Sequence, residues 1–87
     1  MLCLLLSLII SRIEANTNNY SISGRISDER TGSPLPGASI LIKGTYLWAV
    51  SDQKGEFTIQ GIQEGKYQLE VSFLGYVPAT VPVNVNN

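Results

Sequence analysis

Histidine is absent from the 87 residues of this sequence, and the single cysteine is Cys3. Without histidine the chain lacks the usual general base near neutral pH, the base of Ser-His and Cys-His nucleophile pairs, and the commonest zinc ligand. A single cysteine also rules out a disulfide within the chain. The sequence therefore predicts no catalytic residue, no metal site and no cofactor, and we expect that the protein is not an enzyme.

Charged residues are few as well, at 15% of the chain, and the six Lys and Arg nearly cancel the seven Asp and Glu. Nucleic-acid binding requires a basic stripe that displaces counterions from phosphates, and neither sign clusters in this sequence. We therefore expect no nucleic-acid partner. The hydrophobic content of 44% is typical of a globular chain, and the length allows one small domain.

The longest apolar run covers residues 1–10, which is too short for a membrane-spanning helix of about twenty residues. Its length is typical of the apolar core of a secretory signal, which has about 7–15 residues. We interpret residues 1–15 as a signal peptide that is cleaved after Ala15. This predicts an exported protein whose mature chain has no membrane-spanning segment.

The position of the first basic residue in this N-terminal segment is atypical of a signal, and alternatives remain open. The first basic side chain, Arg12, follows the apolar run, whereas a signal normally begins with Lys or Arg. Either the α-amino group alone supplies the charge, or the true start lies upstream of Met1. The structural alternative is that the segment is a buried N-terminal strand or helix of the domain.

From Tyr20 onward, apolar residues recur with a period of two, which is the pattern of a strand with one buried face. Turn-forming residues separate about six or seven such runs at intervals of roughly 8–12 residues. The sequence thus predicts an all-β domain over residues 20–87, preceded by a short linker at 16–19. Two facing sheets would bury the apolar faces, so we expect a small antiparallel β-sandwich of about seven strands.

A series of short motifs lies in order along the predicted domain. The motifs are S-G-R-I-S-D (23–28), G-S-P-L-P-G-A (32–38), I-K-G-T (42–45), S-D-Q-K-G-E-F (51–57), G-K-Y-Q-L (65–69) and F-L-G-Y (73–76). Pro34 and Pro36 withhold N–H donors and so belong in a loop or at an edge, while Asp52 and Gly55 favour a hairpin turn. The ordered set resembles the carboxypeptidase-regulatory-like domain found at the N-terminus of Bacteroidetes SusC-like TonB-dependent outer-membrane receptors.

This resemblance implies a transthyretin-like or immunoglobulin-like sandwich that serves as a non-catalytic accessory domain in a nutrient or glycan uptake system. The resemblance also implies a location in the periplasm or at the cell outer membrane. The implied partners are proteins of the cell envelope, or a glycan. The chain is too short for the plug and barrel of a receptor, so we expect the product of a truncated receptor gene, a fragment, or a free-standing module. The alternative function is an independent extracytoplasmic carbohydrate-binding module, which a cluster of exposed aromatics on one sheet would favour.

One candidate ligand or partner surface emerges, formed by Tyr46 and Trp48. Strand alternation places these two residues and Val50 on one face, with Leu47 and Ala49 on the other. Exposed aromatic rings stack on sugars and anchor protein interfaces. The alternative is that Trp48 fills the centre of the core, because large aromatic side chains are mostly buried.

The motif that contains Asp52 has some resemblance to a calcium-binding loop. Calcium needs several oxygen ligands, and Lys54 stands where a second carboxylate would be required. We interpret the segment as a structural turn.

Overall fold

Eight strands are present in the computed structural model of the chain, which describes residues 4–16 and 19–86. Cys3, as well as Thr17 and Asn18 of the predicted linker, lie outside the described residues. The strands are β1 (Leu4–Asn16), β2 (Asn19–Asp28), β3 (Ser39–Ile42), β4 (Trp48–Val50), β5 (Glu56–Ile62), β6 (Gly65–Ser72), β7 (Tyr76–Val77) and β8 (Ala79–Val85).

The strands form two four-stranded sheets, in the orders β5-β2-β1-β7 and β4-β3-β6-β8. Neighbouring strands are antiparallel except for the short parallel pair of β1 and β7. Strands β2 to β8 account for seven strands, so the predicted antiparallel β-sandwich of about seven strands is confirmed. No helix in the described ranges 4–16 and 19–86 is long and apolar enough to cross a membrane.

The core lies between the two sheets and is made largely of aliphatic side chains. Its fully buried large members are Ile22, Ile26, Ile40, Ile42, Ile62, Leu69, Val71 and Val85. Each of these side chains stabilises the fold by roughly 1.5–3 kcal/mol through loss of contact with water. The alternation of the sequence decides which residues reach this layer, since successive strand residues point to opposite faces.

Strand β1 covers most of the segment that we interpret as a signal peptide. It runs antiparallel to β2, from Leu6 opposite Asp28 to Asn16 opposite Asn19. The segment therefore takes the strand conformation that the sequence left open as an alternative. Ala15, the expected cleavage point, lies on the exposed part of this strand, and cleavage there stays a prediction.

Candidate interaction surface

The loop between β3 and β4 is held together by the side chain of Thr45. Its hydroxyl donates to the Ile42 carbonyl at 2.8 Å and accepts the Leu47 N–H at 3.0 Å. The Ile42 N–H also donates to the Leu47 carbonyl at 3.0 Å. This compact loop leaves the side chain of Tyr46 in solvent, 99% exposed.

Strand β4 is the end strand of its sheet and pairs only with β3 in the sheet order. Leu47 and Ala49 share one face of the strand, as the alternation predicts, and this face packs against the core. Trp48 and Val50 point the other way and are 61% and 50% exposed. The alternative in which Trp48 fills the core is therefore excluded. We call the set Tyr46, Trp48 and Val50 the β4 patch.

Neighbouring strands define the margin of the β4 patch. Leu41 of β3 lies directly opposite Trp48, on the same face of the sheet, and extends the apolar surface. Beyond it, Glu70 of β6 lies opposite Leu41. The patch is thus apolar towards the edge of the sheet and polar towards its middle.

Ser51 fixes the end of β4 although it carries no charge. Its buried hydroxyl donates to the Leu35 carbonyl at 2.6 Å and accepts the Ala38 N–H at 2.8 Å. Its backbone N–H donates to the Ala38 carbonyl, and its carbonyl accepts the Gly37 N–H, both at 2.9 Å. These four bonds tie β4 to the proline-containing loop, so the β4 patch is presented by a rigid backbone. The sequence offered no signal for this role beyond a serine beside a turn.

The two rings of the β4 patch do not form a continuous platform. Within the described part of the chain, the aromatic contact is between Phe73 and Tyr76, whose ring centroids are 5.6 Å apart at 54°. Tyr46 lies in the loop and Trp48 in the strand. The patch is therefore a mixed aromatic and aliphatic strip.

The Asp52 carboxylate forms the structural turn that the sequence predicts. Its Oδ1 accepts the N–H groups of Lys54 and Glu56, each at 2.9 Å. Within residues 4–16 and 19–86, no group of three or more Asp, Glu, Cys or His residues lies close enough together to hold a metal ion.

The carboxylate of Asp28 has a lowered pKa, and the sequence did not identify the residue that causes this shift. Its Oδ1 accepts the Arg30 N–H at 2.7 Å and its Oδ2 accepts the hydroxyl of Tyr76 at 2.7 Å. The bond from Tyr76 is the main cause that lowers the pKa of Asp28, and the bond from Arg30 adds to it. The same contact raises the pKa of Tyr76, because loss of its proton would break the bond. The pair joins the end of β2 to β7.

These features define a small all-β module with an apolar strip on one edge strand. Residues 22–87 match the CarboxypepD_reg-like domain family, and the chain belongs to this family. It is 32% identical over 83 residues to the TonB-dependent receptor SusC of Bacteroides thetaiotaomicron, a match that covers 95% of the chain and 8% of that protein.

A second relative is the TonB-dependent receptor P3 of Formosa agariphila, which is 30% identical over 83 residues, again 95% of the chain and 8% of the relative. The chain thus spans about 8% of the length of these curated relatives. No solved structure matches it.

Proposed function

We propose that this chain is a non-catalytic interaction domain of a TonB-dependent receptor-type protein, in an envelope system that takes up nutrients or glycans. It binds a protein partner through the β4 patch. The observation that carries this proposal is the exposure of Trp48 on an edge strand held by buried hydrogen bonds. Tryptophan and tyrosine are enriched among the residues that dominate binding energy at interfaces. The family and the relatives support a receptor-associated domain.

The makeup of the β4 patch favours a protein over a glycan. A sugar-binding platform uses aromatic faces with polar groups around them, whereas Val50 and Leu41 add aliphatic surface on both sides of Trp48. The strand also ends its sheet, so backbone groups at its outer edge are open to a partner. The two exposed rings are nevertheless the observation that favours the second candidate, a carbohydrate-binding module.

The test places a photo-crosslinking amino acid at position 48 of the chain expressed in its own cells, with position 74 as the matched control. Leu74 is also apolar and 95% exposed, but lies outside the β4 patch. We expect a crosslinked envelope protein from position 48 only. Binding of that purified protein should weaken about tenfold or more in Trp48→Ser and stay unchanged in Leu74→Ser.

The second candidate is tested on the same variants by titration with neutral oligosaccharides. Glycan binding that Trp48→Ser abolishes and Leu74→Ser preserves would replace the protein-partner proposal with the carbohydrate-binding one. If Trp48→Ser changes neither protein nor glycan binding, the β4 patch has no such function.

Export is part of the proposal and has its own measurement. We expect the chain recovered from the cell envelope to begin at Asn16, after removal of residues 1–15. Intact-mass spectrometry of the purified protein gives the answer directly. A cytoplasmic chain that keeps Met1 would contradict the export proposal and leave the binding test unaffected.

Metal analysis of the same material should find no stoichiometric zinc.

A further inference from the structure

Strand β1 lies between β2 and β7 in the first sheet. The proposed removal of residues 1–15 would therefore take an inner strand out of that sheet and turn β2 into an edge. The hydrogen bond between Asp28 of β2 and Tyr76 of β7 joins the two strands that flank β1. This bond does not involve β1, so it would still link β2 to β7 at one end of the place that β1 leaves.

The backbone of β2 shows which of its groups would become free. The Ile26 N–H donates to the Gly55 carbonyl at 2.7 Å, and the Ile26 carbonyl accepts the Leu35 N–H at 3.1 Å. Both bonds lie on the side of β2 away from β1. Since backbone groups of successive strand residues point to opposite edges, those of Arg25 and Ser27 face β1. They would lose their partners when β1 is removed.

The side chains of β1 show what the vacated place accepts. Leu8, Ile10 and Ile13 are half-buried and pack against the core, whereas Ile9 and Arg12 on the other face are exposed. An occupant must therefore be extended and must carry aliphatic side chains at about every second position. Strand β1 stands in for such a ligand in this structure.

Strand β2 lacks the features that usually protect an exposed edge. Between Asn19 and Asp28 it contains neither proline nor lysine, and its one basic side chain is Arg25. The Arg25 guanidinium points to the carbonyls of Lys54 and Gly32, at 3.2 and 3.5 Å, rather than along the β1 edge. An unprotected edge pairs readily with another chain.

We propose that the processed chain presents the free edge of β2 to an extended segment of a partner protein. That segment adds as an antiparallel strand in the place of β1 and lays its aliphatic side chains on the core. This is strand addition, in which main-chain bonds supply affinity and alternate side chains supply selectivity. The inference rests on the proposed cleavage after Ala15 and is independent of the β4 patch.

The test uses the chain recovered from the envelope and, as a comparison, the full 87-residue chain. The probe is a synthetic peptide of residues 7–15 with two added lysines for solubility. The control peptide carries Asp in place of Ile10 and Ile13. We expect the processed chain to bind the probe, and to bind the control peptide about 100-fold more weakly because two aliphatic contacts are lost.

Amide exchange measured by NMR distinguishes strand addition from other binding. In the processed chain, the amides of Arg25 and Ser27 should exchange quickly and become protected when the probe binds. The Ile26 amide, bonded to Gly55, should stay protected throughout. In the full chain, Arg25 and Ser27 should already be protected without the probe.

Three results would overturn the inference. The first is an envelope chain that retains residues 1–15, which mass spectrometry would detect and which would also contradict the export proposal. The second is a processed chain in which the amides of Arg25 and Ser27 are protected from exchange without the probe, because another segment then already pairs with the β2 edge. Equal binding of both peptides would show that alternation does not matter. A processed Trp48→Ser variant should bind the probe normally, so failure of the β4 patch and failure of this site are separable.

Discussion

The turn after β2 and the turn before β5 are built from the same parts. Each begins with an aspartate whose Oδ1 accepts two backbone N–H groups, and each contains a glycine at φ 77°. The Gly32 N–H donates to the Asp28 carbonyl at 2.8 Å, and the Gly55 N–H donates to the Asp52 carbonyl at 2.9 Å. Their surroundings differ, however.

Gly55 is packed against β2 and the proline-containing loop, whereas Gly32 is open to solvent. A Cβ at Gly55 would collide with the Ile26 carbonyl oxygen, while a Cβ at Gly32 would meet nothing within 4 Å. For the aspartates, the buried residue lies in the other turn. Asp28 is 8% exposed and its carboxylate also accepts the Tyr76 hydroxyl, whereas Asp52 is exposed. The two turns therefore have the same local hydrogen bonds but differ in which residue matters most for stability. Tertiary contacts make the aspartate essential in the turn after β2 and the glycine essential in the turn before β5.

The largest expected difference is between Gly55→Ala and Gly32→Ala. Both variants place alanine in a left-handed conformation, which costs about 1–2 kcal/mol. Only Gly55→Ala adds a collision with backbone, which brings the total to about 3–5 kcal/mol. Thermal unfolding followed by circular dichroism should show Gly55→Ala largely unfolded at 37 °C and Gly32→Ala folded. Equal midpoints would show that the burial of Gly55 is unimportant.

A smaller difference is expected between Asp28→Ala and Asp52→Ala. Asp28→Ala removes two backbone caps and leaves the Tyr76 hydroxyl without its acceptor, so the unfolding midpoint should fall by about 10 °C or more. Asp52→Ala removes caps from an exposed turn and should lower it by about 5 °C. In the Asp28→Ala background, adding Tyr76→Phe should lower the unfolding midpoint only slightly further. Full additivity of the two substitutions would contradict the pairing.

The smallest expected effect is in the acid dependence of stability. The folded-state pKa of Asp28 lies below its ordinary value of about 3.9, chiefly because of Tyr76. Its contribution is therefore complete at neutral pH and is lost as the pH falls from about 4 through the folded pKa. Tyr76→Phe removes the main cause of the shift. Its unfolding midpoint should drop less between pH 5 and 2.5 than that of the unaltered chain.

Tyr67→Phe is the control for this acid titration, because it removes a tyrosine hydroxyl that donates to the Gln63 carbonyl and leaves the Asp28–Tyr76 bond in place. Its midpoint should fall with pH as steeply as that of the unaltered chain. A Tyr76→Phe variant with the same steep fall would show that the tyrosine does not set the pKa of Asp28.

Much of the fold and part of the candidate site were predictable from the sequence. Alternation identified strands from Tyr20 onward and assigned Leu47 and Ala49 to one face and Tyr46, Trp48 and Val50 to the other, as the structure shows. It did not decide which face is buried around Trp48, because that depends on where the second sheet packs. The Asp28–Tyr76 bond could not be predicted from the sequence either, since the two residues are 48 positions apart.

The sequence by itself determined the strands from Tyr20 onward and the turns between them, because period-two hydrophobicity and turn chemistry act over a few neighbouring residues. It also determined that no histidine is available for catalysis or metal binding. Only the tertiary structure decided that Trp48 is exposed, that Ser51 is a buried anchor and that Leu4–Asn16 fits a place beside β2. Each of these depends on contacts between segments far apart in the chain. Such contacts follow from how two sheets pack together, which local pattern does not specify.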